Sequence, residues 1–300
     1  MKVLLTGSTG QLGQEIINSL PPNVKLIKPL RKELDLSDVE SCEKIVLTEK
    51  PDWVINCGAY TSIENAEYNI ELSKKINSYA PQAFTRAINQ FNGNLLQLSS
   101  DYVFDGSKNI PYNENDQKKP ICHYGYTKSL AEKLIQKTIG NLENATILRT
   151  SWIISSKRDN FLLKMLKFHS EQNTINVVSD QYGAPTSAKY LAKACWKLIE
   201  LKKTKKIPPI LHWSDYGETS WYELALAIGE IAFDLGIIKK RARINPISSK
   251  EYPSKVNRPK YSVLNIQSSS KYLQLKPNHW RNNLGEILKE LKGKEFISNK

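Results

Sequence analysis

The chain has 300 residues, 40% of them hydrophobic, and a formal net charge of +13, which fits a globular protein able to bury one large core or two smaller ones. No apolar run approaches the roughly 20 residues needed to span a bilayer, so no membrane association is expected. Met1-Lys2 leads straight into Val3-Leu4-Leu5, which reads as a first strand and not as a secretory leader, and a cytoplasmic location is expected.

In chain order, Val3–Thr6, Val24–Ile27, Trp53–Asn56, Leu95–Ser99 and Thr146–Arg149 read as short buried strands. Gln11–Leu20, Val39–Glu49, Ser73–Gln90 and Thr127–Ile139 read as the helices between them. Strands alternating with helices at this spacing predict an α/β fold, a Rossmann-type doubly wound parallel sheet covered on both faces. Beyond Arg149 the pattern loosens. Helices are predicted over Asn160–His169, Ser187–Leu201, Ser220–Leu235 and Trp280–Leu291, with a strand near Thr174–Val178 and Pro-punctuated loops over Pro246–Pro259. The expected division is a dinucleotide-binding domain at 1–150 and a smaller, mainly substrate-binding C-terminal lobe at 151–300, with about 174–201 returning to the first domain.

Cys42, Cys57, Cys122 and Cys195 show no paired spacing and read as free thiols in a reducing compartment, not as a disulfide or zinc framework. Charge is uneven. Residues 1–150 hold 17 Lys and Arg against 17 Asp and Glu, whereas residues 151–300 hold 26 against 13. Such an excess is either a solvated lysine-rich surface or a positive field that steers a phosphorylated substrate. It is scattered and carries no recognition motif, so no nucleic acid partner is expected.

Gly7-Ser8-Thr9-Gly10-Gln11-Leu12-Gly13 lies between the first strand and the first helix. Glycines there let the backbone turn tightly and approach a pyrophosphate, whose charge then sits at a helix N-terminus. The string alone is weak; its place in a βαβ unit is what points to a nucleotide. After the second strand the chain reads Lys28-Pro29-Leu30-Arg31-Lys32, with no acid before Glu33. An Arg at this place receives a 2′-phosphate, where a carboxylate would take the ribose hydroxyls. Arg31 therefore favours NADPH, or tolerance of both NADPH and NADH.

Tyr124 and Lys128 stand at i and i+4, on one face of a predicted helix. A nearby ammonium favours the phenolate, which should lower the Tyr124 pKa and suit it to protonate a carbonyl oxygen. Chance supplies such a pair once or twice in a chain with 14 tyrosines, and Tyr272–Lys276, running into Pro277, is one such match. Tyr124–Lys128 differs in its position between the fourth and fifth strands. Ser99-Ser100 ends the fourth strand, at the edge where ligands bind in such sheets.

These stretches, with Ser100–Gly106 (SDYVFDG) and Ser179–Thr186 (SDQYGAPT), resemble the extended short-chain dehydrogenase/reductases, and within them the dTDP-4-dehydrorhamnose reductase family. The likeness covers nearly the whole chain. It implies an NAD(P)H-dependent oxidoreductase acting on the C4 ketone of a nucleotide sugar, in polysaccharide biosynthesis. It implies Tyr124 as proton donor, Lys128 as its orienting partner and ribose ligand, and Ser100 as holder of the substrate carbonyl. Asp101 and Trp152 would contact the sugar nucleotide. Gly10, Gln11 and Leu12 would cradle the pyrophosphate, Asp35 and Leu36 would lie by the adenine, and Gly58, Ala59 and Tyr60 would line the cofactor.

The chain departs from the family pattern at several places. Ser100 replaces a threonine and keeps the hydroxyl. Tyr102 follows Asp101 where a related dehydratase would carry an acid. Glu64-Asn65-Ala66-Glu67 replaces Asp-Lys-Ala-Glu. Some members dimerise around magnesium held by glutamates; Glu15 matches one of them, but Lys189 and Arg281 stand near the others. No metal is therefore expected, and a monomer or homodimer. Two other readings stay open: a non-catalytic NADP-binding regulatory subunit like that of methionine adenosyltransferase, and a nucleotide-sugar epimerase.

Overall fold

The computed structural model describes residues 1–140, 144–254 and 256–292. The apolar runs of the first half become β1 (Lys2–Thr6), β2 (Lys25–Ile27), β3 (Trp53–Asn56), β4 (Asn94–Ser100) and β5 (Ala145–Thr150). A later strand, β10 (Ile210–His212), pairs with β5. Among the described residues these six strands form one parallel sheet in the order β10-β5-β4-β3-β1-β2. Val3, Leu4, Leu5, Val54 and Ile55 are wholly buried, as a parallel sheet covered on both faces requires.

One face is covered by α1 (Gln11–Asn18) and α8 (Ala188–Leu201), which pack on Val3, Leu5, Ile55 and Leu96. The other is covered by α2 (Val39–Glu49), α5 (Ala80–Asn89) and part of α6 (His123–Ile139). Asp38 caps α2 by accepting from the Ser41 N–H at 3.1 Å, which starts the helix there. Strand order reverses between β1 and β3, so a crevice opens at their carboxyl ends, beyond Thr6 and Asn56.

The single helix expected over Ser73–Gln90 is interrupted. A short α4 (Ile70–Lys74) passes through a π-helical turn at Lys75–Tyr79 before α5 begins. Pro81 has no N–H to offer Asn77 one turn earlier, which removes a rung of the helical ladder. Asn77 and Ser78 bond sideways instead: Asn77 to Tyr60 and Thr127, and Ser78 to the Thr127 carbonyl at 2.7 Å.

The second half has its own core. It is formed by α7 (Phe161–Glu171), α9 (Trp221–Asp234) and α11 (Trp280–Lys292), with β7 (Thr174–Val178) and β12 (Arg243–Ile247). Asn160 caps α7, and Ser220 with Glu223 forms a capping box on α9. The loop expected over Pro246–Pro259 thus begins as strand. In the two-stranded ribbon of β7 and β12 both strands are edges, so Pro246 fits opposite Val177 with no interior ladder bond to lose. Short strands complete the lobe: β6 (Ile153–Ile154) pairs with β9 (Thr186–Ser187), and β8 (Tyr182–Gly183) with β11 (Thr219–Ser220). Helices α3 (Ile63–Tyr68) and α10 (Gln267–Leu273) went unread in the sequence because each is under two turns long. No described helix is long and apolar enough to cross a membrane.

Candidate active site

A cleft of about 790 Å³ runs from the Gly7–Gly13 turn, past the ends of β3, β4 and β5, to the second lobe. Such a volume is ample for a ligand site. Each residue that the sequence assigned to catalysis, cofactor or sugar lines it: the glycine turn, Arg31, Asp35, Leu36, the Gly58–Tyr60 loop, Ser100, Asp101, Tyr124, Lys128 and Trp152.

The dinucleotide end is built by close backbone approach. A methyl group on Gly13 would lie 2.2 Å from the Gly7 carbonyl oxygen, and one on Gly58 would lie 2.4 Å from Leu36. Gly7 has φ +66°, and its own methyl would meet the Gly58 nitrogen at 2.6 Å. The floor of the crevice is therefore bare backbone at the N-terminus of α1, a cradle fitted to a pyrophosphate. Arg31 stands on the rim, largely exposed, with its Nε 3.4 Å from Asp35. Hydrogen bonds from Ser37, with help from Arg31, hold the Asp35 carboxyl below its ordinary value.

Two close contacts fix α6 against β4. Lys128 Nζ donates to the Leu98 carbonyl at 2.6 Å, and one turn later Ser99 Oγ donates to Glu132 Oε1, also at 2.6 Å. Glu132 is fully buried and takes a fork from Arg149 on β5, with Nε at 2.9 Å and Nη2 at 2.8 Å. Lys118 reaches the same carboxylate at 3.0 Å. Glu132 thus joins α6, β4 and β5, the three elements that carry Lys128, Ser100 and Thr150 to the cleft. Gly125 brings the start of α6 against the turn at Asp101–Val103, where a Cβ would stand 2.1 Å from the Tyr102 carbonyl oxygen. Tyr124 and Tyr102 consequently meet edge to face with ring centroids 5.7 Å apart.

The electrostatics differ from the expectation for Tyr124. Burial, not the lysine, dominates and pushes its phenol up from the ordinary value, against a hydrogen bond with Ser100 that lowers it. Burial also brings the Lys128 ammonium down to about 8, although the charge of Glu132 works to keep it protonated. Asp101 is buried and pushed up to about 6; Ser100 Oγ donates to its Oδ1 at 2.9 Å.

The far end of the cleft is built by side chains from the second lobe. Trp152 lies face to face with Trp221, centroids 3.5 Å apart and planes 8° apart, and Phe161 backs Trp221 at 4.6 Å. Trp152 takes φ +42°, unusual for a bulky side chain, and its ring fills the space where Gly183 lacks a Cβ. Arg258 lines the cleft and pairs with Glu64 of α3. Trp221, Arg258, Arg158 and Gly125 had been given no role from the sequence. For Gly125 the signal was its place inside the Tyr124–Lys128 spacing; Trp221 and Arg258 stand in Thr219–Trp221 and Arg258-Pro259, two stretches that share in the family likeness, and for Arg158 no local pattern exists.

Among the described residues no group of three or more His, Cys, Asp or Glu side chains could hold a metal ion. Glu15 is paired with Lys157 at 2.8 Å, Lys189 lies 3.5 Å from Glu290, and Arg281 pairs with Glu230.

The chain matches the family described as "RmlD substrate binding domain" over residues 1–292. It is 32% identical to the dTDP-4-dehydrorhamnose reductase of Salmonella typhimurium strain LT2, over 97% of this chain and 98% of that protein. It is 35% identical to the spore coat polysaccharide biosynthesis protein SpsK of Bacillus subtilis strain 168, over 96% of this chain and 97% of that one. The crystal structure of dTDP-4-dehydrorhamnose reductase from Bacillus anthracis str. Ames, in complex with NADP, superposes with a TM-score of 0.87 at 28% identity. That match covers 96% of this chain and 99% of the other.

Proposed function

This chain belongs to the dTDP-4-dehydrorhamnose reductase family, and on that footing we propose that it reduces the C4 ketone of dTDP-4-dehydro-L-rhamnose to dTDP-L-rhamnose. NADPH is the preferred reductant and NADH the alternative. The reading is carried by one observation: Tyr124, Lys128 and Ser100 line the same cleft as the glycine cradle.

When bound, the dihydronicotinamide supplies the hydride that reaches C4 of the sugar. The chain's own groups handle the oxygen. Ser100 Oγ turns its one proton from Asp101 Oδ1 to the ketone oxygen and places the carbonyl beside the Tyr124 hydroxyl. Tyr124 gives its proton to that oxygen as negative charge develops there. Lys128, held by the Leu98 carbonyl, sets its ammonium where it stabilises the phenolate left behind and can bond the cofactor ribose. The phenol's raised pKa keeps the proton on Tyr124 until charge appears on the substrate oxygen. Gly10, Gln11 and Leu12 cradle the pyrophosphate. Asp35, Leu36, Gly58, Ala59 and Tyr60 enclose the rest of the dinucleotide, and Arg31 takes the 2′-phosphate. Asp101, Trp152 and the facing Trp221 hold the sugar nucleotide.

The test is to mix the purified chain with dTDP-4-dehydro-L-rhamnose and follow NADPH and NADH at their absorbance maximum. Consumption well above a heat-killed control is expected, with dTDP-L-rhamnose as product. No consumption would remove the reductase reading, and turnover of the sugar without net cofactor loss would point to an epimerase. Tyr124→Phe should cut kcat by about 10²–10⁴ while leaving the NADPH dissociation constant unchanged. Near-normal turnover in that variant would strip Tyr124 of its role.

A further inference from the structure

After β6 the chain doubles back over the first turn of α1, and four side-chain bonds hold it there. Gln11 Nε2 donates to the Ile153 carbonyl at 3.3 Å, and Ser155 Oγ donates to Gln11 Oε1 at 2.9 Å. Lys157 Nζ pairs with Glu15 at 2.8 Å, and Arg158 Nε donates to the Thr9 carbonyl at 2.7 Å. A strap from the second half thus crosses the glycine turn.

The two cations of this strap are used differently. Lys157 is neutralised by Glu15, whereas no ion pair of Arg158 occurs among the described residues. Arg158 lines the cleft, and with Nε on Thr9 its guanidinium keeps four further N–H donors. Its backbone has φ +61°, a region that side chains other than glycine's rarely adopt and that clusters at functional sites. The strap therefore holds an unneutralised cation, in a strained conformation, over the turn where the helix dipole already favours anions.

We propose that Arg158 is a phosphate-binding residue of this cleft: its guanidinium takes the diphosphate of the dinucleotide where that group meets the N-terminus of α1. The proposal rests on the nicotinamide cofactor assigned above. Arg31 stands at the end of β2 and serves the 2′-phosphate, so the two arginines divide the cofactor's negative charge. The diphosphate is then held by backbone N–H groups of the first half and by one side chain of the second.

Arg158→Gly is the informative variant, because glycine adopts φ +61° freely and the change relieves backbone strain while it deletes the charge. Its melting temperature should equal or exceed that of the parent, so any loss of binding is not loss of fold. Dissociation constants for NADPH and NADH, measured by calorimetry without substrate, should both rise by about tenfold. Raising KCl should weaken cofactor binding less in the variant than in the parent. Unchanged constants for both cofactors would overturn the proposal. A loss confined to NADPH would also overturn it, by assigning Arg158 to the 2′-phosphate. If the unaltered protein bound neither cofactor, the cofactor reading itself would fall, which the parent's titration alone reveals.

Discussion

The dinucleotide end of the cleft is a surface of backbone, and the end that faces it is a surface of side chains. At the first, Gly7 and Gly13 sit so close to their neighbours that one methyl group would collide with main chain, and one on Gly58 would meet the end of the Leu36 side chain. At the second, Trp152, Trp221 and Arg258 converge from separate loops and helix starts. The difference teaches where each end is vulnerable. A backbone surface fails when an atom is added, whereas a side-chain surface fails by degrees as groups are removed. The buried cluster at Glu132 ties together α6, β4 and β5, which carry residues to the cleft.

The largest effect expected is therefore an addition. Gly13→Ala should weaken NADPH binding at least a hundredfold in calorimetry, because its Cβ would stand 2.2 Å from the Gly7 carbonyl oxygen. Binding within a few-fold of the parent would break the contrast, since it would show that the turn can yield.

Next comes the cluster that joins α6, β4 and β5. Glu132→Gln removes the partner of a buried Arg149 and should cost on the order of 3 kcal/mol of stability in urea denaturation. It should also mark the pH profile. Lys128 is cationic below about 8 and loses its proton as pH rises, so kcat/KM should fall on the alkaline side. Without the charge of Glu132 to hold that proton, the alkaline limb should move to lower pH. A profile that kept its limb while stability fell would reduce Glu132 to a packing role.

Subtraction at the far end should be milder and confined. Trp221→Leu leaves Trp152 without its stacked partner and should raise KM for the sugar nucleotide by about tenfold, with the NADPH dissociation constant unchanged. A change in cofactor affinity would mean that the two ends are coupled through the stack.

The smallest effect belongs to the exposed rim. Arg31→Ala should weaken NADPH by about threefold to tenfold and leave NADH untouched, since a largely exposed guanidinium acts through screened charge. Equal weakening of both would deny Arg31 the 2′-phosphate.

The same contrast explains what the sequence disclosed. Backbone cradles demand glycines at fixed spacing, so Gly7, Gly10 and Gly13 were visible as a string, and Tyr124 with Lys128 as a helical spacing. The parallel sheet was visible because its strands, buried on both faces, read as continuous apolar runs. Arg158 was not legible, and Trp221 and Arg258 were legible only as parts of stretches shared with the family, because the use of all three depends on tertiary neighbours 60 or more positions away. The direction of the Tyr124 shift was misjudged for a related reason: spacing shows that a lysine is near but not how much water the fold removes. The π-helical turn before Pro81 was hidden likewise, since its compensating bonds reach back to Tyr60 and forward to Thr127.

Trp152 and Gly183 are locked together as lid and recess, and this constrains how the protein can vary. Any side chain at position 183 must displace an indole already pressed against Trp221, so neither residue can change alone without cost. A lineage could alter this corner only by a paired exchange, with a smaller ring at 152 accompanying a larger group at 183. In a random library, suppressors of a damaging Gly183 substitution should therefore map to residue 152 and its stacking partner.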